Sequence, residues 1–453
     1  MPDQPDDWKA GLPEAAVDEV DHIIDALHEA HEGRIEIKVA RTDDEIDYLY
    51  AEGRILVRDQ HLEDALVVLE PDGGERARLR NDAGRVQRLI PGVSLVVLGA
   101  EVPALAAIAA IEQQAGIGIA TPDHVLTVAP RGSPCPATEA EVVYEGIEPY
   151  PSACRDGGGT GVLVYIDDTG LLKDADATHP WLAGVHAGNI DPLPPLVGGI
   201  QHIKSMYTGH GTFVAGVVRC MAPAADLIVS NVLRHGGSQL ESHWIQRLEA
   251  ALGLGVDIFH LSVATHSRHD LPLITFQEWL KHLHEYGGAV CVVPAGNFGS
   301  RRLTWPAATS GVISVGALGK DWRGRASFSD FGSWVDVYAP GRDLVNAYAT
   351  GIYKCHVAPY KGQERHFYGM AKWSGTSFST PIVSGLIAAR MSRTGQTARH
   401  AAAALLAEAR AQAIPGVGPV LLPCCGGDDR RPCCRGTGHQ PCCGAGDPRP
   451  CCR

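Results

Sequence analysis

No stretch of this sequence holds the 18 or so consecutive apolar residues of a membrane-spanning helix, so none is expected. A surplus of basic residues is also missing. Lys and Arg number 39 against 52 Asp and Glu, for a formal net charge of −13, which removes the electrostatic footprint of a nucleic-acid binder. The opening Met1-Pro-Asp-Gln-Pro-Asp-Asp lacks the cationic start and apolar stretch of a secretory signal, and the location expected from it is cytoplasmic. Cysteine is scarce through the body of the chain. Of 13, eight fall in the last 30 residues as adjacent pairs, leaving Cys135, Cys154, Cys220, Cys291 and Cys355, which is not the disulfide framework of a secreted domain.

What is present is ordinary globular material, 45% hydrophobic and 20% charged, in a chain of 453 residues that predicts two to three units. The charge is uneven. Residues 1–50 carry 15 acidic against 4 basic side chains, and the remainder is close to neutral. Within this acidic segment, Val17, Val20, Ile24 and Leu27 recur at helical spacing over 13–32, with Glu19, Asp21, Asp25 and Glu29 mostly on other faces. The pattern predicts an amphipathic helix that packs on the next unit or on a partner.

Residues 51–130 then alternate. Arg54–Arg58, Gly92–Gly99 and His124–Ala129 read as strands, and 60–70 and Pro103–Gln114 as helices, giving a small α+β unit. Pro134, Pro136, Pro149, Pro151 and Asp156-Gly-Gly-Gly159 mark 131–159 as an exposed linker open to proteases. From 160 to 415 the rhythm is βαβ. Apolar runs at 161–170, 226–232, 256–263 and 289–293 alternate with helical stretches at 238–252 and 276–284, which predicts a doubly wound, mainly parallel α/β sheet. The last segment, 416–453, repeats Cys-Cys every nine residues, at 424, 433, 442 and 451. From Cys424 on it has no large apolar residues with which to build a core, and the segment is expected to be disordered. Its thiolates suit Zn²⁺ or Cu⁺, yet no finger-type spacing appears, and a low-complexity extension without a site is the simpler reading.

Four polar residues stand at the ends of these predicted elements. Asp168 follows an apolar strand in Asp-Thr-Gly; alone it is only a turn former or a cap. His210 sits between glycines in Thr208-Gly-His-Gly-Thr, ahead of a helical run. Asn297 lies in Ala295-Gly-Asn, after a third strand. Ser377 lies in Ser374-Gly-Thr-Ser-Phe-Ser-Thr-Pro381, at the mouth of an apolar helix. As a bare helix cap Ser377 needs no further role. Pro381 is expected in that helix's first turn, where a missing N–H costs nothing.

In the order Asp, His, Asn, Ser on a parallel sheet, these strings resemble the subtilisin-like serine peptidases, and the likeness covers about 160–410. His179-Pro-Trp-Leu, Trp305-Pro-Ala and Arg325-Ala-Ser-Phe-Ser add to it. The resemblance implies a peptidase in which Ser377 is the nucleophile, His210 the general base and acid, and Asp168 the residue that orients the imidazole. Asn297, with the Ser377 N–H, would stabilise the oxyanion. It implies substrate-binding strands around Ser262, Val263 and Ala264 and around Ala295 and Gly296, pairing with an extended peptide. Two positions depart from the family pattern: Ala264 stands where a Gly is usual, and Phe213 where a His is common. Neither removes a catalytic atom.

By the same resemblance the small unit corresponds to a propeptide, an inhibitor whose end lies in the active-site cleft. A zymogen cut within about 130–156 is expected, or else a permanent regulatory unit over the site. The partners implied are peptide or protein substrates, with no nucleic acid and no membrane. No cofactor is required. Calcium is possible by resemblance, but no ligands can be assigned. His266, His269, His282 and His284 lack a third ligand and do not predict a metal site. The neighbouring Asp167 has no role in the pattern, and one option is that it selects a basic or polar substrate residue. Because no member of the triad is missing, turnover is favoured over a catalytically silent peptide-binding protein on the same fold. A sensor or interaction protein built on the acidic front and the cysteine tail is a third option.

Overall fold

The computed structural model describes residues 8–42, 45–69, 85–99, 102–128, 139–144, 146–152 and 158–423. The cysteine pairs, from 424 on, therefore lie outside the described residues, and so do Cys135 and Cys154. Residues 416–423, expected to be disordered with the pairs, instead pack on the catalytic part: Val420 and Leu421 are buried, and the Tyr338 N–H donates to the Pro419 carbonyl. Cys220, Cys291 and Cys355 are buried and free.

The N-terminal part begins with helix α1 (Glu14–Ala30) and continues as β1 (Ile37–Thr42), β2 (Glu45–Arg58), α2 (Leu62–Leu69), β3 (Val86–Ile90), β4 (Val93–Val97), α3 (Ala104–Ala115) and β5 (Ala120–Thr127). The strands form an antiparallel sheet, with β2 between β4 and β5 and β3 outside β4; β1 also pairs with β2. A boundary expected at residue 50 falls inside β2, whose 14 residues run without interruption from the acidic segment into the small unit. Helices α2 and α3 close one face of the sheet over Ile55, Val57, Leu66, Val96, Ile108 and Ile111.

Helix α1 buries Ala15, Ala16, Val20, Ile23 and Leu27, partly against Leu49, Ala51 and Val125. Glu19, expected mostly off the packed face, is buried too, as is its neighbour Asp18. The reason is specific partners. The Tyr207 hydroxyl donates to Glu19 at 2.5 Å, and Asp18 is ion-paired with Lys361. A buried acid is tolerable when donors replace its water.

The catalytic part is built on β7 (Leu163–Asp167), β8 (Asp226–Ser230), β10 (Ile258–Leu261), β11 (Val290–Pro294), β12 (Ile313–Leu318) and β13 (Val337–Pro340), taking Ser238–Leu240 as β9. The sheet order is β13-β12-β11-β10-β7-β8, with the short strand His186–Ala187 on the outer edge, and every pair is parallel. Strands β10, β11 and β12 are buried along their whole length, as sequences covered on both faces must be. The helices α4 (His210–Met221), α5 (Glu241–Ala251), α6 (Ile274–Glu285), α7 (Thr376–Thr394) and α8 (Ala398–Ala411) cover it. Helices α4 and α7 pack closely enough that a Cβ on Gly385 would stand 3.0 Å from the Val218 carbonyl.

Two expectations change here. Residues 238–240, predicted helical, form β9, which pairs antiparallel with Val125–Thr127 and so adds a catalytic-half strand to the N-terminal sheet. Its three side chains are buried where the two halves meet, and tertiary pairing overrides local preference. The described residues 139–144 and 146–152 of the expected linker also belong to the catalytic half. Glu141–Val142 is a strand (β6) on the hairpin formed by β14 (Leu344–Lys354) and β15 (Glu364–Trp373), pairing with Ala371 and Lys372. Glu139, 7% exposed, accepts from the Tyr353 hydroxyl at 2.5 Å and the His356 N–H at 2.6 Å. Tyr150 exchanges both backbone bonds with Val345. A Pro-rich composition marked 131–159 as loop, but carried no information about these distant partners.

Candidate active site

Parallel strands deliver their following residues to one edge of the sheet, and the four candidates converge there. Asp168 follows β7 directly and is fully buried. It receives the His210 imidazole, with Nδ1 at 2.8 and 2.9 Å from its two oxygens, and its Oδ1 also accepts the Thr169 N–H at 2.7 Å. Burial alone would raise this carboxyl. The facing His210 charge outweighs it, together with hydrogen bonds from His210, Ser262 and Thr169, and the group lies below its ordinary value. Ionised Asp168 is what a base-orienting residue requires.

His210 is the first residue of α4, after Gly209 in the left-handed region at φ 81°. A side chain on Gly211 would strike the Gly170 carbonyl, so only glycine lets the Asp168 turn approach the start of the helix. The imidazole is 2% exposed, held edge-on to Trp373 and against Phe378. Phe213, one turn further along α4, packs on the same two rings.

Ser377 is the second residue of α7, so the dipole end and free N–H groups of that helix face the site. Pro381 is not in the first turn as expected. The helix starts at Thr376, so Pro381 lies in the second turn, and its missing N–H frees the Ser377 carbonyl from the usual i→i+4 bond. Asn297 follows β11. Its Oδ1 accepts from the Thr376 N–H at 2.9 Å and the Thr376 hydroxyl at 3.0 Å, which fixes the amide orientation. Its Nδ2 is buried without a partner among the described residues. A buried donor left unpaired is costly, and one aimed beside a nucleophile is what an oxyanion site needs.

The cleft is occupied by the chain itself. Thr127 exchanges both backbone bonds with Ala264, at 3.2 and 2.8 Å, while Val125–Thr127 pairs with β9 on the other side. The Val128 N–H donates to the Gly237 carbonyl at 2.8 Å, and the Val128 carbonyl accepts the Ser377 hydroxyl at 3.0 Å. Residues 125–128 are thus a strand laid between two enzyme strands, with Leu126 and Val128 fully buried. Of the expected substrate-binding residues, Ala264 makes backbone contact with this strand. Ser262 bonds to Asp168, and Val263, Ala295 and Gly296 are buried nearby.

Asp167 does not face substrate. It is fully buried beneath the site, accepting from the Trp244 indole at 2.6 Å, and burial pushes it up to about 8. Selection of a basic substrate residue by Asp167 is excluded by this position. Sequence reasoning missed three further polar groups. His260 is buried on β10, bonds to Ser384, and is pushed down to about 3 by burial. Asp330 accepts from the Thr304 hydroxyl and the Ser300 N–H, bracing the loop after Asn297. Asp191 bonds beside His210. None sits in a recognisable string; only proximity identifies them.

Among the described residues no three His, Cys, Asp or Glu side chains gather as a metal site. His282 pairs with Glu249 and His269 with Glu112. No ligands for calcium are assigned among the described residues, and no chemical step is routed through it. Nor is any helix among the described residues long and apolar enough to cross a membrane.

A twisted parallel sheet with Asp, His and Ser at its carboxyl edge, and an Asn donor beside the serine, defines the subtilisin-like class of serine endopeptidases. Comparison with known proteins agrees. The subtilase family pattern matches residues 159–418, and the chain belongs to that family. Subtilisin Savinase from Lederbergia lenta is 30% identical over 239 residues, 51% of this chain and 76% of its own length. Thermitase from Thermoactinomyces vulgaris is 29% identical over 284 residues, 59% of this chain and 87% of its own. M-protease from Shouchella clausii is 30% identical over 239 residues, but this spans only 54% of its length. In fold the chain resembles fervidolysin from Fervidobacterium pennivorans, a keratinolytic enzyme related to subtilisin, with a TM-score of 0.55 at 20% identity over 85% of this chain and 61% of that one.

Proposed function

We propose that the chain hydrolyses peptide bonds in protein or peptide substrates, and that it is made as a zymogen whose N-terminal unit, about residues 8–128, covers the active site. The observation that carries this reading is the strand 125–128, hydrogen-bonded in the cleft as a substrate would be, with the Val128 carbonyl on the Ser377 hydroxyl.

In the open enzyme, Ser377 Oγ attacks the substrate carbonyl while His210 takes its proton. Asp168 holds the imidazole by Nδ1 and stabilises the imidazolium. The negative oxygen that forms is met by Asn297 Nδ2 and the Ser377 N–H. His210 then protonates the leaving amine, and the acyl-enzyme is hydrolysed by the same base acting on water. In the covered state the serine hydroxyl is bonded to Val128, not to the imidazole, so its activation waits on release of that strand.

The attachment of 139–152 to the hairpin narrows the processing interval. A cut inside β6 or at Tyr150 would require stripping those residues from their partners. The cut therefore falls between 128 and 139, and the strand 139–152 stays with the catalytic part. Fluorophosphonate labelling of the processed protein, with fragment ends read by mass spectrometry, tests both statements. Labelling lost in Ser377→Ala, and a new N-terminus between 129 and 139 absent from that variant, are expected. Processed wild-type protein that takes no label would instead favour a silent peptide-binding protein. Identical processing of Ser377→Ala would rule out self-cleavage.

A further inference from the structure

Beside the triad stands a second buried carboxyl with no part in the steps above. Asp191 ends the two-residue strand Ile190–Asp191, which runs parallel to Leu171–Leu172, and is 4% exposed. Its Oδ2 accepts the Gly209 N–H at 2.7 Å and the Thr169 hydroxyl at 3.0 Å. The Thr169 oxygen in turn accepts the Gly211 N–H at 3.1 Å. One step further on, the Leu172 N–H donates to the Thr212 hydroxyl at 2.7 Å.

These bonds form a closed seam. Thr169 is covalently next to Asp168, while Gly209 and Gly211 flank His210. One carboxyl oxygen therefore ties the turn that carries the acid to both backbone neighbours of the base. The loop needs such a tie because glycine on each side gives His210 little stiffness of its own. Gly209 sits at φ 81°, where a side chain would also press on the Tyr348 ring at 3.0 Å. Backbone packing continues the seam: Gly170, at φ 105°, lies so close to Asp191 that a Cβ there would stand 2.7 Å from the Asp191 nitrogen.

We propose that Asp191 is a positioning residue for the peptidase reaction, holding the Asp168–His210 pair in register through Gly209 and Thr169. It touches no substrate and moves no proton; it keeps the base where Ser377 can use it. This rests on the triad reading given above. Burial pushes the Asp191 carboxyl up to about 8, against the hydrogen bonds from Gly209 and Thr169, and the Asp168 charge adds to the rise. The other titratable groups facing it are Asp168 and the buried Tyr348 phenol, which the Asp191 charge helps to raise. Ionisation of Asp191 strengthens both bonds it accepts.

The test uses the full-length, self-processed protein and an internally quenched peptide carrying the chain's own residues 123–134. Asp191→Ala is expected to lower kcat about 10- to 100-fold, the scale of a misplaced catalytic group, with KM within about 2-fold. Asp191→Asn, whose amide oxygen still accepts from Gly209 and Thr169, should recover most of that loss. The wild type is expected to gain kcat as pH rises through about 8 and Asp191 ionises, and Asp191→Asn should lack that rise. Thr169→Val should reproduce part of the defect, and the Asp191→Ala/Thr169→Val double variant should be little worse than the poorer single, as members of one unit are. Asp191→Ala and Asp191→Asn that keep wild-type kcat, and lose only thermal midpoint, would overturn the proposal and leave a fold brace. A wild-type protein that neither cleaves the peptide nor takes a fluorophosphonate fails earlier. That outcome removes the peptidase reading, and this inference with it.

Discussion

The contacts between the catalytic and N-terminal halves of this chain carry more charge and hydrogen bonding than those inside the catalytic half. Inside the catalytic half, parallel strands are buried end to end and the helices lie on aliphatic and aromatic rows. The seam between the halves adds polar ties to an apolar patch, in which Leu56, Ile90, Val93 and Leu95 join the buried cluster of the catalytic core. Arg58 reaches Glu278 at 2.7 Å and Gln277 at 2.5 Å, and Arg268 reaches Glu112 at 2.8 Å. Arg302 pairs with Asp47, and Asp123 takes both Arg54 and Ser242. His124 meets Glu241 at 2.8 Å, and Glu241 accepts from Thr275 at 2.5 Å. Charged contacts give register and alignment at less net stability than apolar burial, because each group gives up hydration. These charged and hydrogen-bonded ties fix how the N-terminal half sits over the cleft.

The largest effects test the catalytic side. Ser377→Ala should reduce hydrolysis of the peptide by at least about three orders of magnitude, since triad members act as one unit. Asn297→Ala should cost about 10²- to 10³-fold in kcat, the usual price of one oxyanion donor, with the fold unchanged. Steady-state kinetics on processed protein reads both. An Asn297→Ala enzyme with wild-type kcat would mean that the unpaired Nδ2 does not face the oxyanion.

The next test falls on the seam, in a Ser377→Ala background so that the cover stays attached. Both partners of the His124–Glu241 contact are almost wholly buried. Glu241→Ala leaves His124 and the Thr275 hydroxyl without their acceptor, and losing one member of a buried pair costs about 3–5 kcal/mol. Amide exchange of Val125–Val128 should accelerate accordingly, while exchange in β10 and β11 stays slow. Equal acceleration in both regions would break the distinction between seam and core.

The same contrast governs what the sequence disclosed. The proposed triad was legible because each member sits in a short string at the end of its own element, and a parallel sheet gathers such ends at one edge. Asp168, His210, Asn297 and Ser377 needed no long-range information beyond that rule. The parallel strands were legible for a related reason, as unbroken apolar runs. Long-range pairings were not. Ser238–Leu240 reads as the start of a helix, and only Val125–Thr127 opposite makes it a strand. Residues 139–152 read as linker because prolines are local, whereas Glu139's partners are Tyr353 and His356, more than 200 residues away. Glu19 looked solvent-facing for the same reason. Asp191 carries no motif, and its value lies in what folds beside it.

Acid should loosen the seam more than the core. His22 of α1 faces His356 at 4.8 Å between ring centroids and lies 3.4 Å from the Ser205 hydroxyl. Other charged groups nearby on the packed elements are Asp18 with Lys361, Asp21 with Lys9, Glu19 against Tyr207, and Glu139 beneath the His356 N–H. Burial, and then the His356 charge, push His22 down to about 4. The docked imidazole thus resists a proton that the released one accepts near pH 6.5. Docking is therefore complete above pH 6.5 and weakens as pH falls toward 4, by up to about 3 kcal/mol for this group. In the Ser377→Ala protein, exchange at α1 and at Val125–Val128, corrected for the intrinsic pH dependence of exchange, should quicken between pH 6.5 and 4. His22→Gln should flatten that slope. A slope unchanged in His22→Gln would assign the acid response to another group.

The smallest effect sets the lower limit of the comparison. Lys9 and Asp21 form an ion pair at 2.8 Å, but their side chains are 48% and 41% exposed. Water screens such a pair and two flexible side chains must be ordered to make it, so its value is below about 1 kcal/mol. Lys9→Ala should leave the exchange of Val125–Val128 within about 2-fold of the parent, and raising the salt concentration should mimic it. The seam is held firmly where its polar contacts are dry, at His124–Glu241, whereas the wet Lys9–Asp21 pair lies inside the N-terminal half and adds little to docking. A Lys9→Ala effect as large as that of Glu241→Ala would mean that position along α1, and not burial, decides how firmly the cover is held.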